Sequence, residues 1–303
     1  MAIPEFKSFI LPVLKFAGDG GDHSLNEVRA HLTQVFQMNE QDLAEPLPSG
    51  VQTRFSNRVQ WARTYLVKAG LLDPTGRGRF RITERGKQVL HDPPDVIDKA
   101  YLSRFSEFAQ FSAITPSASD QETPEGDGHG LTPQELLDSI YQDLRQALVD
   151  ELLTQLKKAS PKFFEQVVVD VLVKMGYGGS RADAGRAVGQ SGDEGIDGII
   201  KEDRLGLDVV LLQAKRWDNP VGRPHVQNFV GSLAGQRATK GVFITTSQFT
   251  QDATDYVKSI SPKVVLIDGR TLAQFMIDFE VGVAEQVVYK IRRIDTDYFE
   301  DEP

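Results

Sequence analysis

The chain has 303 residues, room for two domains that each bury a core of their own, and a net charge of −9. It contains no cysteine, which excludes disulfides, thiolate metal sites and a cysteine nucleophile, and suits a cytosolic protein. No apolar run approaches the ~18 residues of a membrane span, and lysines break the opening apolar face, so neither a span nor a signal peptide is expected.

Residues 5–17 place Phe6, Phe9, Ile10, Val13 and Leu14 at helical spacing and predict an amphipathic helix. Ser24-Leu-Asn-Glu27 has the form of a capping box. It predicts a second helix that turns Leu25, Val28, Leu32 and Phe36 to the core. A third helix is expected from Thr53 to Ala69, ending at Gly70. Phe55, Val59, Leu66 and Val67 mark its apolar side, and Arg54, Asn57, Arg58 and Arg63 the side displayed to solvent. A turn at Asp73-Pro74-Thr75-Gly76 then makes a hairpin that exposes Arg77, Arg79 and Arg81, and a helix over 84–90 closes the unit. Three helices and a basic β-wing are the pattern of a winged helix, whose third helix enters a major groove while the wing touches the backbone. The acidic total argues against nucleic acid, but between Arg54 and Lys87 nine Lys/Arg stand against two acids, Asp73 and Glu84. Phosphate binding depends on that local surface. The same arginines would suit a protein-interaction module; the charge ratio favours DNA.

Residues 93–132 change in composition and predict an acidic flexible linker, with a short helix near 97–112. The expected division is thus 1–92, 93–132 and 133–303. Thr132 caps a long helix from Pro133 to Lys158, whose stripe of Leu136, Leu137, Ile140, Leu144, Leu148, Leu152 and Leu156 fits a core or a dimer contact. Ser160 and Pro161 give an N-cap and a first-turn proline to the next helix, with Glu165 in its first turn. Further on, helices are expected at Arg223–Gly235, 250–259 and Thr271–Phe279, with buried strands from Lys240 and Val264. Strands alternating with helices in this order predict an α/β three-layer sandwich on a central mixed sheet.

Between these segments lies the chemistry. Gly192 to Gly198 is an acidic glycine-rich turn, and Val209-Val210-Leu211-Leu212 is an apolar run that fits a strand buried on both faces. That strand ends in Gln213-Ala214-Lys215, and residues two apart on a strand share a face. If Ile196 to Ile200 folds beside it as a hairpin, Asp197 lands near Gln213 and Lys215. A carboxylate, an amide and an ammonium at one sheet edge can hold a divalent cation and position a water on a phosphodiester. An aspartate between glycines also shapes turns, and a lysine beside Arg216 can be a surface cation. The position upstream of Gln-x-Lys and the buried strand before the lysine favour the site. Asp193 and Glu194 would serve as outer acids or as turn residues. No Walker loop, dinucleotide fingerprint, His-Glu-x-x-His pair or nucleophile elbow is present.

An Asp followed by (Asp/Glu/Gln)-x-Lys on the next strand resembles the PD-(D/E)xK nuclease core. The fuller pattern GDEGIDG…QAKRW resembles the Mrr family of restriction endonucleases, which carry Gln where most relatives have an acid. The likeness continues through FFEQVVVDVLVKMGYGG, VGRP, GSLAGQ, KGVFITTSQFT and DYFE, and through the opening helix and WARTYLVKAGLL, so it spans nearly the whole chain. It implies an N-terminal winged helix and a restriction-endonuclease-like domain that hydrolyses foreign double-stranded DNA, methylated at adenine or cytosine, with Mg²⁺. Asp197, Gln213 and Glu165 would hold the metal, and Lys215 would position or deprotonate the attacking water. The Gln213 amide could instead orient a water, and an acid in a helical first turn is also stabilised simply by the helix dipole. Gln227 matches a family glutamine near the active centre; His225 could face the site, but exposure is the commoner fate of a histidine at a helix start. The resemblance further implies a bacterial cytoplasm, at the nucleoid. Cutting both strands needs two active centres, hence a homodimer or homotetramer. Two other readings stand beside it: a DNA-binding regulator whose nuclease-like domain no longer cuts, and a structure-specific repair nuclease.

Overall fold

Residues 3–76, 78–114, 130–178, 196–202, 208–295 and 298 are described from a computed structural model of the chain. The chain divides into two compact units, Met1–Gln142 with Arg292–Pro303, and Asp143–Ile291.

The first unit is built on α1 (Lys7–Phe16), which packs against α4 (Arg54–Lys68). Their apolar stripes, Phe9, Ile10, Val13 and Leu14 on one and Val59, Ala62 and Leu66 on the other, are fully buried. Each of these side chains larger than alanine contributes roughly 1.5–3 kcal/mol of burial. Between them α2 (Leu25–Val35) starts at the foreseen capping box, with Ser24 N donating to Glu27 Oε2 at 2.6 Å and Glu27 N donating to Ser24 Oγ at 3.3 Å. The polar connection that follows holds an unforeseen helix, α3 (Glu40–Ala44), capped reciprocally by Asn39 and Asp42. After α4 the chain reverses at Gly70, whose φ of +69° suits a residue without Cβ. Strands β2 (Leu72–Gly76) and β3 (Arg79–Ile82) form the expected hairpin. A two-residue strand, β1 (His23–Ser24), pairs with its inner edge, giving the order β1-β3-β2. Phe80 and Ile82 point inward and Arg79 and Arg81 outward, the two-residue alternation of a half-buried strand. Helix α5 (Glu84–His91) follows.

The expected linker from residue 93 is corrected over its first part. Helices α6 (Lys99–Leu102) and α7 (Ser106–Ile114) pack onto the first core, where Ile97, Leu102 and Phe108 are completely buried. Phe108 meets the Tyr65 ring edge-on at 5.2 Å. Burial of these three side chains outweighs the acidic, Pro-rich composition around them, so residues 93–114 belong to the folded unit. Most of the acidic stretch, 115–129, lies outside the described residues. Helix α8 (Pro133–Lys158) begins at Thr132 as expected. Its long stripe divides: Val149, Leu152 and Leu156 are core, whereas Leu136, Leu137, Ile140 and Leu144 are exposed.

The second unit carries a four-stranded sheet in the order β4-β5-β6-β7. Strands β4 (Gly198–Lys201) and β5 (Val209–Lys215) are antiparallel, while β6 (Lys240–Thr245) and β7 (Lys263–Ile267) run parallel to β5. Helix α9 (Pro161–Lys174) and α12 (Gly269–Asp278), with the buried end of α8, cover one face through Val168, Leu172, Leu212, Ile244 and Leu272. Helix α10 (Arg223–Gly235) and α11 (Gln251–Lys258) cover the other through Leu211, Val226, Phe229 and Phe243. Phe229 lies so close to Gly241 that an added Cβ would sit 2.8 Å from its ring, so this glycine lets α10 approach β6. The result is the mixed-sheet α/β sandwich read from the alternation of strands and helices.

Candidate active site

Strand β5 explains why its end holds polar groups in place. Val210, Leu211 and Leu212 are buried on alternate faces, which fixes the register and leaves no freedom to slip. Leu211 faces the α10 layer, and Gln213 and Lys215 follow it at two-residue steps. On the neighbouring strand Gly198 pairs with Leu212, and Asp197 N donates to Leu212 O at 2.9 Å. That pairing aims the Asp197 carboxylate along the end of β5. Its Oδ2 accepts from Ala214 N at 2.8 Å and from Lys215 Nζ at 3.2 Å. Both partners are only partly screened, with 26% of the Lys215 side chain and 18% of Asp197 exposed. Gln213, two residues before Lys215 on β5, is buried.

Glu165 comes from the opposite layer, just past the first turn of α9 and not within it as expected, after the Ser160 cap, whose Oγ accepts from Phe163 N at 3.2 Å. Burial, and then the negative charge of Asp197, push its carboxyl above the ordinary value; Lys215 and Lys162 pull the other way. Glu165 therefore shares an electrostatic environment with Asp197 and Lys215. The Glu165 and Asp197 carboxylates, with the Gln213 amide oxygen, form a hard-oxygen donor set whose negative charge a small divalent cation would neutralise. Among the described residues no group of three or more His, Cys, Asp or Glu forms a metal cluster, and the Gln213 amide is a further oxygen that could join the two carboxylates and water. So composed, the donor set fits Mg²⁺.

The remaining sequence candidates separate. Asp193 and Glu194 lie outside the described residues. Gln227 and His225 are exposed on α10, and the His225 ring meets Trp217.

In the first unit the expected display of Asn57 and Arg58 is corrected: both are buried. Arg58 Nε donates to Glu135 Oε1 at 3.0 Å, and Nη1 donates to the carbonyls of Ile3, at 3.2 Å, and Pro4. Asn57 Oδ1 accepts from Thr132 Oγ1 at 2.6 Å. Arg54 bridges Glu45 at 2.7 Å and Glu135 at 3.3 Å. A charge that is buried must be paired, and Glu135 supplies the pair. Arg63 is half-buried over the Phe80 ring, at 5.5 Å, and burial lowers its affinity for the proton. On the hairpin Arg79 is tied to Asp22 at 2.5 Å, Arg81 is exposed, and Arg77 lies outside the described residues. The partnership with Glu135 went unseen in the sequence. The local signal, Thr132-x-x-Glu135, is legible as a capping box, but its tie to a helix more than seventy residues earlier is not.

Comparison with known proteins decides the family. A restriction endonuclease family model matches residues 156–276, and the Mrr N-terminal domain matches residues 6–92. The type IV methyl-directed restriction enzyme EcoKMrr of Escherichia coli (strain K12) is 38% identical over 310 residues, covering 99% of this chain and 100% of that protein. The chain belongs to the Mrr family of restriction endonucleases. The Mrr catalytic match takes in Glu165, Asp197, Gln213 and Lys215, and the Mrr N-terminal match ends just after α5, short of the α6 and α7 that pack against it. Two solved restriction enzymes are also similar. MspJI in complex with a 27-mer oligonucleotide is 25% identical, over 54% of this chain and 34% of that one, with a TM-score of 0.30. The DNA modification-dependent enzyme AspBHI is 17% identical, over 70% and 56%, with a TM-score of 0.34.

Proposed function

We propose that this Mrr-family chain cuts foreign double-stranded DNA carrying methylated adenine or cytosine, as a Mg²⁺-dependent type IV restriction endonuclease. The observation that carries the reading is the shared hold on Asp197 Oδ2 by Ala214 N and Lys215 Nζ, which fixes a carboxylate and an ammonium at one strand end. Asp197, Glu165 and Gln213 would hold the metal, which when bound polarises the scissile phosphate and lowers the pKa of a water. The protein's own groups do the rest. Lys215 Nζ, steadied by Asp197, offers its protons to a phosphate oxygen or to the incoming water and meets the negative charge that develops on phosphorus. The buried Gln213 orients without adding charge.

The first unit would bring the enzyme to DNA as a winged helix, with Arg79 and Arg81 on the wing and Arg54 and Arg63 at the edges of α4. Asn57 and Arg58 hold α4 in place and leave the phosphates to those neighbours. Methyl-directed action is a property of EcoKMrr, and its likeness to this chain over nearly full length supports the same substrate here. No helix among the described residues is long and apolar enough to cross a membrane, in keeping with a cytoplasmic enzyme at the nucleoid. A homodimer or homotetramer would supply the second centre for double-strand scission, and the exposed stripe Leu136, Leu137, Ile140 and Leu144 is an apolar face suited to the contact.

The test is plasmid cleavage with and without Mg²⁺, on DNA methylated and unmethylated in the same sequence. Cutting of methylated DNA alone supports the reading; DNA binding without cleavage on any substrate would favour a regulator.

A further inference from the structure

Beyond the four candidate residues, the end of β5 continues into a rigid aromatic turn. Lys215 O accepts from Thr245 Oγ1 at 2.8 Å and from Trp217 N at 3.0 Å, while Trp217 O accepts from Thr246 Oγ1 at 2.8 Å. One residue further, Asp218 O accepts from Ser247 Oγ at 3.0 Å. Backbone held at so many points gives the Trp217 side chain a fixed origin. The face is fixed too. Leu211 and Trp217 both pack on the α10-side cluster, and Gln213 and Lys215 follow Leu211 on that side of β5 at two-residue steps. The indole therefore stands on the same side of the strand as the amide and the ammonium.

It is not buried there. Trp217 is half-exposed, and the exposed His225, in the first turn of α10, meets it at 4.6 Å with the rings 72° apart. An edge-to-face neighbour of this kind holds an aromatic ring in one orientation. The nearby cation is already engaged, since Arg223 pairs with Asp252 and lies 5.0 Å over the Tyr256 ring. What the rim offers beside Lys215 is a half-exposed indole.

We infer that Trp217, oriented by His225, is a platform for the nucleotide next to the scissile phosphate. Sugar and base present an apolar face beside an anionic phosphate, which matches an indole beside an ammonium, and aromatic contact tolerates any base. The platform rests on the reading of the chain as a DNA-cutting enzyme. It adds to that reading a contact that sets substrate affinity.

The chain has two tryptophans, so Trp61→Phe leaves Trp217 as the sole reporter with its ring unaltered. This variant is titrated with the duplex that the wild type cuts, in Ca²⁺ so that the DNA is bound and not cleaved. The platform predicts a change in Trp217 emission that saturates together with binding followed by anisotropy of labelled DNA. In cleavage assays Trp217→Ala should raise KM by about 5- to 100-fold with kcat much less affected, the range expected for one lost stacking contact. Trp217→Phe should recover most of that loss, and His225→Ala should give a smaller rise. Emission unchanged at saturating DNA, or a KM for Trp217→Ala within about twofold of the wild type, would overturn the platform while leaving the enzyme reading intact. A wild type that neither binds nor cuts DNA would overturn both.

Discussion

Lys215 Nζ lies 3.2 Å from Asp197 Oδ2, across the junction of two antiparallel strands and at the end of a run that is buried on both faces. The same oxygen caps the backbone of Ala214, so the pair is held by the sheet itself. An ammonium in that position is neither a solvated surface charge nor a core ion pair. It is held by Asp197 and remains partly exposed to solvent.

Removing either member should abolish cutting and spare binding. Asp197→Asn and Lys215→Ala are expected to lower kcat by at least ~10²-fold, the usual cost of one preorganised electrostatic contact in a reaction centre. Gel-shift affinity for the same duplex should stay within about threefold, since the N-terminal unit is untouched. Loss of binding in step with loss of cutting would show that the pair serves folding.

Glu165 should make stability depend on pH in a defined direction. Its folded-state pKa is raised, so the folded chain keeps its proton more readily than the unfolded chain does. Stability from this group is full below the ordinary carboxylate range and falls as pH rises through the raised value. Without metal, Glu165→Gln should therefore melt higher than wild type at neutral pH, by on the order of 1–3 °C for a partly exposed group, with the gain vanishing in acid. Added Mg²⁺ should raise the melting temperature of wild type more than that of the variant. Thermal scans at several pH values, with and without Mg²⁺, test both points.

Glu135 should matter to folding far more than Glu45. Glu135→Ala leaves Arg58 buried without its carboxylate, at a cost of roughly 3–5 kcal/mol. Glu45→Ala removes a solvent-exposed partner of Arg54 and should cost less than about 1 kcal/mol. Urea unfolding of the two variants side by side gives the ratio.

Arg81 should report on DNA contact without disturbing the fold. It is exposed on β3, where Arg81→Ala removes no buried packing. If it meets a phosphate, the slope of log K against log salt should fall by about 0.9. Arg58→Ala should instead lower the melting temperature, because its charge is spent inside the protein.

Much of this architecture was legible because its causes are local. The Ser24–Glu27 capping box, the Ser160-Pro161 helix start, the alternation of Phe80 and Ile82 with arginines, and the doubly buried β5 each announce themselves within a few residues. The pairing of Asp197 with Lys215 followed from one short hairpin. The errors came where distance in sequence hid the partner. Arg58 and Asn57 read as a polar helix face, and only Glu135 and Thr132, far down the chain, make their burial affordable. Ile97, Leu102 and Phe108 sat in acidic surroundings that read as linker, yet their apolar area drew the segment onto the core. Trp217 was absorbed in the wording of a motif, and its standing beside Lys215 shows only when the turn after β5 is built.

The most direct measurement is cleavage of one plasmid, prepared methylated and unmethylated, by wild type and by Asp197→Ala and Lys215→Ala in Mg²⁺. Linearisation of the methylated plasmid alone, lost in both variants while both still bind it, is the predicted result. Equal cutting by wild type and Lys215→Ala would contradict the account, because the strand end that holds Asp197 to Lys215 would then not be where the phosphodiester is broken.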